Sequence, residues 1–221
     1  MHRMIMLSRV YQLSSHRSAA AIQQDPANDW LSGFTRRRLD AEAIRDTLLV
    51  LGGNLDLSPA GPHAFPQQSS WDFTQHKPFK AVYETNRRSV FLMTQRIQRH
   101  PFLAIFDGAD PSTSTAVRMS STTPLQALYL LNDPLVHQQS RLVAARIMAH
   151  SADIDARVAY AHELLFTRPA SKEDQTAAQE FLSNADKLLR EAGTASDRIE
   201  AESWSAYVRT LFRLNEFVCL D

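Results

Sequence analysis

The sequence predicts a mainly α-helical domain, and three observations point there. Only six glycines occur in 221 residues, a scarcity that suits helices better than turn-rich β structure. Apolar residues recur at three- and four-residue spacing through the second half. Capping signatures punctuate that half, the clearest being "STTPLQALYLLNDPLV". An apolar share of 44% and a charged share of 22% belong to a globular chain with a real core. The reading is an irregular multi-helix domain over 1–221, with a helical C-terminal half over 124–218.

Each element has its own signal. "MHRMIMLSRVYQLSS" sets Met1, Met4, Ile5, Leu7 and Tyr11 among Arg3, Ser8 and Arg9. Those interruptions predict an amphipathic helix ending near Leu13, since a signal peptide needs an unbroken apolar run and a small-residue cleavage site. In "FTRRRLDAEAIRD", residues 34–46, Asp40 is the predicted N-cap of a helix. Its stripe is Ala41, Ile44, Leu48 and Leu51, and Gly52-Gly53 stops it. Residues 54–78 carry Pro59, Pro62, Pro66 and Pro78 and read as a long proline-rich loop. Phe79, Ala81 and Tyr83 alternate, as do Val90 and Leu92 after "ETNRR", so a small β-hairpin is expected near 79–93.

Pro101 opens a short helix. Thr123 as N-cap, Pro124 at the first position and Gln126 at the third make a capping box. Asp133-Pro134 then opens a longer helix running to about His150. Ile154, Val158, Ala161 and Leu165 mark the next, ended by "TRP". Ser171 with Asp174 caps another, which Gly193 ends. The last runs from about Asp197 through Trp204, Val208, Leu211 and Phe212.

The chemistry is less explicit. Lys plus Arg and Asp plus Glu number 24 each, which handicaps a nucleic-acid reading. The single cysteine, Cys219, lies in "FVCLD" and reads as a buried, inert thiol that requires no oxidising compartment. His137, His150 and His162 fall on successive helices without zinc-protease spacing, so they read as surface or helix-end residues. No cysteine pair suggests a structural metal, and no serine sits in a Gly-x-Ser-x-Gly elbow. Asp107 and Asp110, in "FDGADPSTSTAVRMSSTT", could face a hard cation, but the spacing matches turn and cap chemistry better.

Arg36, Arg37 and Arg38 precede a helix N-terminus, which repels cations. Extended backbone would alternate them, turning at least one inward to carboxylates or carbonyls. Two readings stand: a structural or solvated set, or an anion site shared with Arg87, Arg88 or Arg118. The candidate polar site is Arg36, Arg37, Arg38, Arg88, Asp107, Asp110 and Arg118, with catalytic residues unknown and no metal ligand expected. No stretch is long enough to span a membrane.

In order, "HRMIMLSRVYQLSS", "FTRRRLDAEAIRDTLL", "RRSVFLMTQR", "PFLAIFDGADPS", "STTPLQALYLLNDPLV", "LLFTRPASKEDQTAAQEFL" and "LFRLNEFVCLD" resemble one family. It is the C-terminal domain of planctomycete surface or cytochrome-associated proteins, domain-of-unknown-function family fifteen fifty-three. The resemblance runs along nearly the whole chain. It implies an exported protein in which this domain follows a second domain of unknown function, often behind a haem-binding cytochrome c-like module. Haem is thus expected only in an upstream module of full-length relatives, and no cofactor in this chain. Lectin-like modules in some relatives hint at extracellular polysaccharide.

The chain begins where a family member would already be well inside the domain. A fragment, a split gene or a displaced start is therefore expected, with apolar surface left for a protein partner, either the missing N-terminal part or a neighbouring domain. As written it would be cytoplasmic, with full-length relatives in the periplasm or cell envelope. The leading functional expectation is a non-catalytic interaction or scaffold module. One alternative is a hydrolytic enzyme for extracellular polysaccharide or its esters, with a site near 36–46, 87–88 and 106–123. Another is anion or nucleic-acid binding through the arginines.

Overall fold

The computed structural model describes residues 1–59, 69, 82–96 and 98–220. Its elements run α1 (His2–Met6), α2 (Ala19–Gln24), β1 (Arg37–Arg38), α3 (Ala41–Leu51), α4 (Pro101–Ile105), α5 (Pro124–Asn132) and α6 (Pro134–His150). There follow α7 (Ile154–Phe166), α8 (Lys172–Glu191), α9 (Ser196–Leu211), α10 (Asn215–Val218) and β2 (Cys219–Leu220). The fold is mainly helical, as expected, and among the described residues it carries a small two-stranded antiparallel sheet. Two compact units divide it: Met1–Leu39 with Asn215–Asp221, and Asp40–Leu214.

In the first unit, α1 stops at Met6, short of the expected end near Leu13. Neither α1 nor α2 buries a residue, and so short a helix gains little without a packed face. Order comes instead from side chains bonding to backbone. The buried Asp25 carboxylate accepts the N–H groups of Asp29 and Trp30, both at 2.9 Å. Asn28, at φ 60°, donates to the Gly33 carbonyl at 2.7 Å. Strand β1 pairs antiparallel with β2, Arg37 opposite Leu220 and Arg38 opposite Cys219. The Leu39 N–H extends the pairing to the Val218 carbonyl at 2.8 Å. Cys219 is only half-buried.

The sheet therefore joins the two ends of the chain rather than lying in 79–93, where the alternation pointed. Residues 79–81 are outside the described residues. The described remainder of that stretch holds a 3-10 turn at Ser89–Phe91 and an isolated bridge from Arg87 to Asp56. Ser89 is the physical reason. Its N–H and its hydroxyl both donate to Asp46 Oδ1 at 2.7 Å, curling the backbone onto α3 instead of extending it. Of the proline-rich segment 54–78, residues 54–59 carry no helix and no strand beyond that bridge, and most of the rest lies outside the described residues.

The second unit starts its helices with short polar side chains. Thr123 with Gln126, and Ser171 with Asp174, form both expected capping boxes. Asp133 accepts the Leu135 N–H, and Asp153 the Ala156 N–H, each at 2.8 Å. Asp40 stands at the N-cap position of α3, but its side chain makes no capping bond. Gly53 at φ 74° and Gly193 at φ 76° lie just past α3 and α8, where left-handed backbone suits glycine.

The core lies where α6 packs on α9, α8 on α9, α7 on α8 and α3 on α6. Val136, Val143, Ala144 and Ile147 of α6 are buried, as are Ile199, Trp204, Val208 and Leu211 of α9. Each fully buried large aliphatic side chain contributes about 1.5–3 kcal/mol. At the C-cap of α3, Gly52 leaves room for a neighbour, because a Cβ there would run into Gln139 Oε1. Gln139 is wholly buried, and its amide N and O have no hydrogen-bond partner among the described residues.

Candidate functional site

A cavity of about 310 Å³ opens in the second unit. It is lined by Arg45 of α3, by residues 82–86, by Leu92 and His100, by the start of α4, by Tyr129 of α5, and by Asp133 with the start of α6. Helix α3 supplies its cation because Arg45 falls on the buried face beside Ile44, Leu48 and Leu49.

A cation held inside a protein needs acceptors. Arg45 Nη1 donates to the Arg87 carbonyl at 3.0 Å and to Ser89 Oγ at 3.2 Å, and Nη2 donates to the Thr85 carbonyl. Those bonds draw residues 85–89 onto α3 and form one wall. The nearest carboxylate oxygen, Asp46 Oδ1, is 3.9 Å from Nη1 and already accepts both Ser89 donors. Among the described residues Arg45 is thus a buried charge whose one ion pair, to Asp46, is long and shared. Burial lowers its proton affinity while Asp46 and Tyr129 raise it, and an arginine stays charged under such shifts.

His100 is buried, and its Nδ1 makes no hydrogen bond among the described residues. Burial, then the Arg45 charge, push its pKa below the usual histidine value, against an opposing pull from Asp133. The ring is therefore neutral at pH 7. Burial and the hydrogen bond to Asp133 push the Tyr129 phenol well above its ordinary range, so it keeps its proton. Its ring stands edge-on to Phe102 at 5.5 Å and to Phe106 at 5.7 Å. The lining thus joins one buried cation, two carboxylates (Glu84 and Asp133), a neutral phenol and imidazole, and an aromatic wall. Such a lining has the donors, acceptors and ring surface with which proteins orient small polar molecules.

Two further polar clusters are structural. Asp107, at φ 61°, accepts the Ser121 N–H at 2.8 Å, the Ser121 hydroxyl at 2.8–2.9 Å and Gln126 Nε2 at 3.4 Å. Gln126 also donates to the Ile105 carbonyl at 2.9 Å, so the loop is stitched to the start of α5. At the α7–α8–α9 junction, His162 Nε2 meets the Tyr207 hydroxyl at 3.3 Å and Nδ1 lies 3.6 Å from Asp174. Burial raises the Asp174 pKa, but bonds from Arg168 and Ser171 outweigh it and bring it down to about 2.

His162 therefore departs from the surface or helix-end reading, because it shares the buried stripe of Val158 and Ala161. His150 fits that reading, exposed at a helix end and stacked on Tyr160 at 4.0 Å, and His137 is half-buried. Among the described residues no three His, Cys, Asp or Glu side chains gather as a metal site. Among the same residues, no helix is long and apolar enough to cross a membrane.

The sequence-predicted site residues are distributed as follows. Arg36 and Arg37 are exposed and Arg38 is half-buried, all in the first unit. Arg88 is exposed at the start of the 3-10 turn. Asp107 closes the loop onto α5, and Asp110 closes a turn by accepting the Ser112 N–H at 2.8 Å. Arg118 grips Glu42 of α3, at 2.9 and 3.4 Å. Neither Arg88 nor Arg118 lines the cavity, and neither does either aspartate. Arg45, His100 and Tyr129 were missed by sequence reasoning. The available signal was an arginine inside an apolar stripe.

Among the described residues the fold is mainly helical, and its second unit carries a polar cavity. The chain belongs to the family described as Protein of unknown function (DUF1553), whose family model matches residues 1–182. The match includes every residue lining the cavity, and α9 lies beyond it. No curated protein and no solved structure matches the chain.

Proposed function

We propose that this chain is a non-catalytic interaction module, working as part of an exported, haem-linked envelope protein of the planctomycete kind. The observation that carries this reading is the apolar surface of residues 1–31. Met4 is 79% and Trp30 77% exposed, and Ile5, Leu7, Val10, Tyr11 and Leu31 are exposed with them. Concentrated apolar exposure marks a surface that meets another molecule, here a protein domain. The charged candidates support the same reading. Asp107 and Arg118 are engaged by Ser121 and Glu42, and loop 106–123 contributes nothing to the cavity lining. That weakens the hydrolytic alternative, which needs the loop at a shared pocket.

Two measurements test the proposal. Trp30→Ser with Leu31→Ser should abolish cross-links to a partner domain while leaving the circular dichroism of the helices unchanged. Turnover of a polysaccharide, a sulfate ester or a peptide, lost on replacing Asp107 or Arg118, would show the module to be an enzyme.

A further inference from the structure

We propose that the α3–α5–α6 cavity is a binding site for a small zwitterion of the amino-acid class, its carboxylate at Arg45 and its ammonium at Asp133. This goes beyond the interaction reading and rests on other residues. Arg45 commits three N–H groups to Thr85, Arg87 and Ser89, out of the five a guanidinium carries. Its closest carboxylate oxygen is 3.9 Å away and shared with Ser89. A buried guanidinium in that position is completed by a carboxylate, which it binds through paired N–H groups.

The same cavity holds Asp133, whose carboxylate accepts the Leu135 N–H at Oδ1 and is bonded by the Tyr129 hydroxyl, and the exposed Glu84. These acceptors suit a donor-rich, positively charged group. Tyr129 and Phe102 offer ring surface for a cation or an aliphatic chain. The buried Nδ1 of His100, without a partner among the described residues, gives the same wall room for a further polar group. A simple anion would leave the carboxylates opposed, and a simple amine would leave Arg45 uncompensated. One molecule bearing both charges answers both. The volume, about 310 Å³, lies at the small end of ligand cavities and suits a small molecule.

The experiment is a thermal-shift and calorimetric titration of the full chain with the common L-amino acids. Leucine is compared with leucic acid, which replaces its ammonium by a hydroxyl, and with isoamylamine, which lacks its carboxylate; inorganic phosphate is the anion control. At least one amino acid should bind at millimolar concentration or tighter and raise Tm. Its hydroxy-acid and amine analogues should bind about tenfold more weakly or worse. Asp133→Asn keeps the cap on α6 and should weaken the amino acid about tenfold while leaving the hydroxy acid unchanged. Should that variant fail to fold, the wild-type comparison of acid, amine and zwitterion decides alone. Failure of every amino acid, equal binding of an analogue or of phosphate, or indifference to Asp133→Asn in a folded variant would each overturn the proposal.

Discussion

At its N-terminal end α5 meets a closed polar network, and at its C-terminal end an open one. Asp107, Ser121, Thr123 and Gln126 at the first end bond mainly to one another and to backbone. Arg45, His100, Tyr129 and Asp133 at the second end surround space, with a charge whose ion pair to Asp46 is 3.9 Å long and a ring nitrogen lacking any partner among the described residues. Both ends use an aspartate beside a helix terminus. What separates a lock from a binding surface is saturation: hydrogen bonds all made within the chain hold structure, whereas unfilled capacity beside a cavity can recruit a ligand.

The largest effect should come from breaking the lock. Asp107→Ala removes the acceptor for two Ser121 donors and puts a Cβ-bearing, non-bonding residue at a positive φ. The expected loss is about 2–4 kcal/mol, read from the urea midpoint, with faster proteolysis between 110 and 120. Asp107→Asn tolerates that backbone better and should lose less. If Asp107→Ala were as stable as wild type, the closed network would be decoration.

Gly52→Ala comes next. It tests whether the α3–α6 packing that positions Arg45 has slack. The new Cβ would meet Gln139 Oε1, and overpacking a core costs about 1–3 kcal/mol. Adding Gln139→Ala should recover part of the loss, which a double-mutant cycle in urea would measure.

A smaller effect separates the two ends by pH. His100 has its pKa lowered by burial and by Arg45, so the folded state takes up its proton less readily than the unfolded state. Its contribution to stability is full above the unfolded value near 6.5 and is lost as pH falls toward the folded value. His100→Phe should flatten the dependence of the urea midpoint on pH below about 6.5 without lowering stability at pH 8. An unchanged slope would mean that the ring is not held neutral in the cavity wall.

The two ends also differed in how far the sequence revealed them. Thr123, Gln126, Ser171 and Asp174 were legible because a cap is local: the chemistry lies within four residues of the helix it starts. Sheet β1–β2 was not, because it joins Arg37 to Leu220, and no local alternation encodes a pairing that distant. Arg45 was hidden by its surroundings in "FTRRRLDAEAIRD", where charge suggested surface. Its register with Ala41, Leu48 and Leu49 was the clue that it faced inward. The same holds for His162, four residues after Val158. The cavity depends on five segments meeting, and that meeting is written in no one of them.

The smallest effect concerns Arg118 and Glu42, where the 106–123 loop touches α3 outside both networks. The contact is two-pronged, but the side chains are 38% and 29% exposed. Water and salt screen such a pair, and it is worth about 0.2–1 kcal/mol. Arg118→Ala should therefore move the urea midpoint only slightly, and the difference should vanish in high salt. A loss as large as that of Asp107→Ala would show that the loop is held by this ion pair rather than by Ser121. The closed end of α5 would then extend as far as the first turn of α3, three residues from the cavity's own arginine.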